Sequence, residues 1–140
     1  MDNIQAALLL PQLARVEDLR MARQQRFDRY LDRMRSIDGV TIPSVIPDSI
    51  NGCHLVTVWV DPARRDQVLA AMGKAGVGVA VNYRAIHLLT FFRQTFGFKR
   101  GDFPEAERIG DSTLTLPLYA TLSLDAVDYV VDSLREAIQA

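Results

Sequence analysis

The stretch HLVTVWVDPARRDQVLAAMGKAGVGVAV, residues 54–81, changes its periodicity twice. HLVTVWV, residues 54–60, is rich in β-branched and aromatic residues and reads as a strand. Asp61–Pro62 then carries a helix-start signature, an N-cap carboxylate followed by proline at the first helical position. Val68, Leu69 and Met72 give the expected helix one apolar face, and Gly73 or Gly76 ends it. Val77, Val79 and Val81 alternate as a further strand. If the two strands are parallel, their crossover is right-handed.

Working outward, STLTLPLY (112–119) reads as a third strand, and Ser123 caps a final amphipathic helix. In that helix Leu124, Val127, Val131, Leu134 and Ile138 are expected to face inward. Short helical turns are expected at Phe91–Phe96 and Glu105–Ile109. Residues 2–35 read as helix, kinked or broken near Pro11, which lacks the N–H for an internal bond. Past that proline, Val16, Phe27, Tyr30 and Met34 fall on one 3.6-residue stripe. Arg20 and Arg23 lie on the same seam, with stems along the core edge and heads in water. Gly39, Pro43 and Pro47 mark an irregular connection. The fold class is therefore α+β: a small sheet of about three or four strands, helices packed on one face, and a long N-terminal helix. The chain reads as one unit, with a long, kinked helix expected over 1–36 and an α+β sandwich over 37–140.

Composition narrows the function classes. At 49% hydrophobic and 24% charged, the 140 residues fit one globular domain large enough to bury a core without staples. A net charge of −1 supplies no field toward nucleic acid or anionic lipid. The run RMARQQRFDRYLDRMR interleaves its arginines with Asp28 and Asp32, which favours a solvated, ion-paired face over a nucleic-acid patch. The single cysteine, Cys53, fits a reducing compartment, and Ile4–Leu10 is too short for a span and lacks a basic leader, so a cytoplasmic protein is expected. No glycine-rich phosphate loop and no Cys/His cluster suited to a metal is present. Cys53 and His54 are adjacent, so strand geometry would turn them to opposite faces rather than pair them as nucleophile and base.

VNYRAIHLL, residues 81–89, is where chemistry concentrates. Asn82, Tyr83 and Arg84 leave the C-terminal edge of the Val77–Val81 strand, a position that often carries ligand-contacting loops. Arginine suits phosphate or carboxylate, while tyrosine and histidine exchange hydrogen bonds with hydroxyls. The competing assignment, which the residues alone favour, makes Tyr83 a rim aromatic, Arg84 a surface charge and His87 a helix-start residue.

Taken together, MDNIQAALLLPQL, GVGVAVNYRAIHLLTFFRQTFGFKRGDFPEAERIGDSTLTLPLY and LSLDAVDYVVDSL resemble the C-terminal part of the DegT/DnrJ/EryC1/StrS aminotransferases. The composite of Y-R-x-x-H, G-D-F-P-x-A-E and L-P-L-Y carries the resemblance, which runs from Met1 to near Ile138. It implies the small domain of a pyridoxal-phosphate enzyme that moves an amino group from a donor such as glutamate to a nucleotide-linked keto sugar, in cell-surface polysaccharide or amino-sugar synthesis. It also implies that the Schiff-base lysine and the phosphate cup belong to a large domain absent from this chain. Neither Lys74 nor Lys99 matches the lysine motif, so the chain alone is expected to be inactive, with no catalytic residue of its own and no pyridoxal phosphate bound.

By the same resemblance His87 contacts a sugar hydroxyl or the diphosphate, and Tyr83 and Arg84 follow it on the turn. Asn82 departs from a histidine common at that position, and Tyr119 is a lesser candidate for the substrate. In GDFPEAER, Asp102 and Phe103 shape a loop, Pro104 starts a turn, and Glu105 and Glu107 favour the helix N-terminus. The alternatives are a stand-alone binding or regulatory module, or a decayed gene fragment. Removed from a large domain, Ile4, Leu8 and Leu9 would be uncovered, so self-association or a homodimer is expected.

Overall fold

The computed structural model describes residues 1–44 and 46–140, so Val45, in the Gly39–Pro47 connection, lies outside the described residues. Among the described residues six helices surround a minimal sheet: α1 (Asn3–Leu13), α2 (Val16–Met34), α3 (Arg65–Lys74), α4 (Thr90–Phe96), α5 (Pro104–Ser112) and α6 (Leu124–Gln139), with strands β1 (Val56–Trp59) and β2 (Thr113–Leu116). A 3₁₀ turn at Ile86–Leu88 precedes α4.

β1 and β2 pair antiparallel, Val56 opposite Leu116 and Trp59 opposite Thr113. Alternation along this register gives the sheet two unlike faces. Val56, Val58, Leu114 and Leu116 are buried in the core with Tyr30, Met34, Met72, Val127, Val131 and Leu134. Thr57, Trp59 and Thr113 line a groove instead.

The strand expected at Val77–Val81 is absent. Val77–Val81 meets the sheet only through a single antiparallel bridge from Ala80 to Thr115, so the parallel crossover does not form. Gly78 interrupts this segment, and a strand glycine has no side chain to pack. A second lone bridge, Thr41 to Trp59, extends the other edge. The small sheet is thus two strands wide, flanked by one bridge on each side.

The N-terminal helix is two helices rather than one. Pro11 lies inside α1, which continues to Leu13 before the chain turns at Ala14 and Arg15 and restarts as α2. Since proline removes only its own N–H, the helix runs on for most of a turn before breaking. The stripe on α2 is real for Phe27, Tyr30 and Met34, which are buried, but Val16 at its first residue is exposed. Likewise Val127, Val131 and Leu134 on α6 are buried and Ile138 is half-buried, whereas Leu124 at its first position is exposed. End residues lack neighbours on one side, and helical periodicity cannot report that.

Arg20, Arg29 and Arg33 of α2 are ion-paired, the last two across to α6 rather than to Asp32 on their own helix. Arg29 forks onto Asp128 at 2.8 and 2.7 Å, and Arg33 reaches Asp132 at 2.8 Å. Arg20 pairs with Glu17 on its own helix. Arg23 donates to the Cys53 carbonyl at 2.9 Å, and Arg26 to the Leu122 carbonyl at 2.7 Å, so two long side chains clamp loops onto the helix. Tyr30, wholly buried, hydrogen-bonds the Pro117 carbonyl at 2.9 Å, and burial pushes its phenol well above the usual value.

Asp61 caps a turn instead of α3. Its carboxylate accepts the Ala63 N–H at 2.9 Å, the helix begins at Arg65, and Gly76 ends it at φ 75°. Ser123 does cap α6, accepting the Ala126 N–H at 3.1 Å.

α5 reaches the Tyr83–Ala85 backbone through Gly110. A Cβ there would stand 2.6 Å from the Ala85 nitrogen and 3.2 Å from the Tyr83 carbonyl oxygen. Backbone against backbone leaves no flexible atom to yield, so helix and turn touch only because residue 110 is glycine.

Three outcomes follow from this packing. Leu134→Ala, at a fully buried position, should lower unfolding free energy by about 2–5 kcal/mol in urea titration. Gly110→Ala should cost about 1–3 kcal/mol by overpacking and should shift the amide resonances of residues 83–87 more than those of α2. Hydrogen bonding from Arg29, with help from Arg33, holds the Asp128 carboxyl below its ordinary 3.8 despite partial burial. A depressed folded pKa means stability that is present above the unfolded value and lost as pH falls toward the folded one. Urea midpoints should therefore drop as pH is lowered through that range, and Asp128→Asn should flatten part of the drop.

Candidate functional site

The turn after Val81 carries Tyr83 and Arg84 outward and His87 inward. Tyr83 is 74% exposed, whereas His87 in the 3₁₀ turn is only 6% exposed. Together with Ile86, Phe92, Phe98, Phe103, Ala106 and Ile109 they line an open groove of about 460 Å³. The groove is therefore mostly apolar and aromatic, with His87, Arg84 and the Tyr83 hydroxyl as its polar groups. Convergence of a few polar groups in an apolar concavity is the usual form of a small-molecule site.

His87 is held by a residue that sequence reading had placed at a helix N-terminus. Its Nε2 lies 2.9 Å from Glu107 Oε1, and Glu107 is itself buried. The same oxygen accepts the Gly101 N–H at 2.7 Å, while Arg100 stands 3.5 Å from Oε2. Burial opposes ionisation of Glu107. The hydrogen bonds from Gly101 and His87, a further backbone bond at Phe103 and the Arg100 charge outweigh it, so the carboxyl stays below its usual range. Phe103 packs edge-on to the imidazole at 4.9 Å between ring centroids, and Phe98 stands at 6.4 Å.

GDFPEAER builds this arrangement residue by residue. Asp102 accepts the Lys99 N–H at 2.9 Å and closes the loop that aims Gly101 at Glu107. Pro104 begins α5 at a position whose N–H would have no helical partner, and Glu107 follows one turn later. The loop roles of Asp102, Phe103 and Pro104 stand as expected. Glu107 does more than favour the helix dipole, since it is the acidic partner of His87 across 20 residues of sequence. The signal that points to it is the glutamate ending G-D-F-P-x-A-E, visible only as part of the composite pattern. Gly110, which brings α5 to the turn, carried no signal.

The other candidates separate. Arg84 is exposed and approaches Asp66 only to 4.0 Å, so its guanidinium is available at the groove rim. Asn82 lines a different groove of about 500 Å³ on the polar sheet face, with Thr57, Trp59 and Thr113. Tyr119 lies beyond β2, half exposed, and lines neither groove. Cys53 is buried with its Sγ 3.0 Å from Gln24 Oε1, and burial raises its thiol pKa, while His54 is exposed. The two adjacent residues form no nucleophile–base pair. Among the described residues no group of three or more His, Cys, Asp or Glu side chains is arranged for a metal, and no helix is long and apolar enough to cross a membrane.

Comparison with known proteins bears on this geometry. The family model described as the DegT/DnrJ/EryC1/StrS aminotransferase family matches residues 1–135. The spore coat polysaccharide biosynthesis protein SpsC of Bacillus subtilis is 32% identical over 144 residues, covering 99% of this chain and 37% of that protein. The UDP-4-amino-4-deoxy-L-arabinose–oxoglutarate aminotransferase of Shewanella sediminis is 25% identical over 99% of this chain and 38% of its own. Among solved structures, DesV of S. venezuelae, in complex with a ketimine intermediate, superposes with a TM-score of 0.91 at 26% identity, over 100% of this chain and 37% of that one. The chain thus spans somewhat over a third of the length of the relatives it matches. The match of that family model over residues 1–135 places the chain in the DegT/DnrJ/EryC1/StrS aminotransferase family.

Proposed function

We propose that this chain forms the substrate-side portion of a pyridoxal-phosphate-dependent aminotransferase, one that moves an amino group from an amino acid such as glutamate to a nucleotide-linked keto sugar. The observation that carries the reading is the groove that gathers His87, Tyr83 and Arg84 among aromatic walls. Aromatic faces suit a sugar ring, hydroxyl-bonding groups suit its substituents, and an exposed guanidinium at the rim suits a diphosphate. Family membership supports the reaction class, and the names of SpsC and of the Shewanella enzyme support a sugar substrate.

The residues present do not fit the cofactor. Lys74 ends α3 and Lys99 sits in the loop before α5; both are exposed and neither lines the His87 groove. A Schiff-base lysine must project into the site beside the cofactor, and neither position does so. No step is therefore assigned to pyridoxal phosphate on these residues, and the 140-residue chain is proposed to be inactive alone. The exposed apolar side of α1, with Ile4, Leu8, Leu9 and Leu13, is proposed as the surface that the rest of such an enzyme, or a second copy of the chain, would cover. Tyr119 and Asn82 are kept as weaker substrate contacts, outside this groove.

The test is to combine the chain with a separately expressed large domain from a relative and assay amination of a keto sugar nucleotide. Activity should appear only in the mixture, and His87→Ala should reduce kcat/KM by about 10- to 100-fold, the range expected for one lost polar contact. Amination by the chain alone, or full activity of the His87→Ala mixture, would sink the proposal.

A further inference from the structure

The His87–Glu107 pair specifies which ligand atom the histidine can meet. Glu107 is held ionised by its surroundings, and an ionised carboxylate only accepts hydrogen bonds. The 2.9 Å contact to Oε1 therefore requires the hydrogen on His87 Nε2. Because Oε1 also takes the Gly101 N–H at 2.7 Å, the carboxylate cannot swing away without abandoning a second donor. Phe103, at 4.9 Å and 61° to the imidazole, limits rotation of the ring in its slot, and Phe98 backs Phe103 at 5.4 Å. Among the described residues Nδ1 has no hydrogen-bond partner. In the neutral ring, Nδ1 is then a bare acceptor, and the side chain that carries it lines the groove.

Resting on the reading of His87 as a substrate contact, we infer that Glu107 is a positioning residue that locks His87 as the Nε2–H tautomer, so that Nδ1 accepts a hydrogen bond from a sugar hydroxyl rather than binding the diphosphate. A phosphate oxygen is an acceptor too, and two acceptors facing each other repel. Arg84 is the member of the groove suited to that anion, being an exposed fork of donors with only a loose neighbour in Asp66. The two functions that resemblance left open for His87 thus divide between two residues.

The chain holds two histidines, one buried and one exposed, which makes the tautomer directly measurable. Long-range proton–nitrogen correlation on the ¹⁵N-labelled chain, assigned with His87→Ala, should show a protonated Nε2 and a bare Nδ1 for His87. Glu107→Gln should preserve this pattern, since an amide carbonyl at the Oε1 position still accepts both hydrogens. Glu107→Ala should speed exchange of the Nε2 hydrogen about tenfold or more. A merely structural glutamate would leave that exchange unchanged in a folded Glu107→Ala chain. If Glu107→Ala fails to fold, the wild-type and Glu107→Gln spectra still decide.

Millimolar UDP-glucose should then move the Nδ1 resonance, whereas UDP alone should not. A hydrogen on Nδ1 in the free chain, in the neutral or the charged ring, or an equal response to UDP, would overturn the inference. A correct tautomer with no response to either ligand would instead overturn the substrate-contact reading of His87.

Discussion

Everything in this fold hangs on the register of β1 against β2. Val56 opposite Leu116 and Val58 opposite Leu114 put four aliphatic side chains on one face, where α2, α3 and α6 close over them. The same register sends Thr57, Trp59 and Thr113 the other way, toward the grooves and α5. Slipping the pairing by one residue would exchange the faces, drying the groove side and wetting the core. A four-residue pair is little sheet to carry such a constraint. It is held at both edges by single bridges and from behind by helices whose buried residues fit only the aliphatic face.

The site is a by-product of this arrangement as much as a feature of its loops. Because Thr113 begins β2 directly after Ser112 ends α5, the helix cannot move independently of the sheet. α5 brings Glu107 under His87 and rests on the Tyr83–Ala85 backbone through Gly110. One strand start therefore fixes one helix, which fixes both the turn and the imidazole. Rigid placement of this kind is what a binding group needs if its polar contact is to be made in one orientation.

How much of this was legible in the sequence depends on the range of the interaction concerned. Periodicity located β1, β2, α3 and α6, because alternation and 3.6-residue stripes reflect a local division between core and solvent. It found Phe27, Tyr30 and Met34, yet misjudged Val16 and Leu124, whose exposure depends on there being no neighbour beyond the helix end. Val77–Val81 has the alternation of a strand but only one bridge, at Thr115, because pairing depends on the path of a partner strand that local alternation does not specify. His87 was legible as a residue type in a suggestive place. Its partner was not, since Glu107 lies on another element and reaches it only through a loop whose path propensities do not give. Gly110 is the extreme case: an interior helix glycine reads as a weak spot until the backbone it touches is known.

Trp59 connects these parts in another way. It is the only tryptophan, it faces away from the aliphatic core, and the Arg108 guanidinium of α5 lies 5.0 Å above its ring. Indole emission responds to the charge and water around it, so the fluorescence of the native chain is in effect a gauge of whether α5 is seated. Because the same helix carries Glu107, that optical signal should follow the integrity of the histidine's support with no label attached and no ligand added. The protein thus contains its own reporter on β1, in contact with the residue that follows Glu107 on α5.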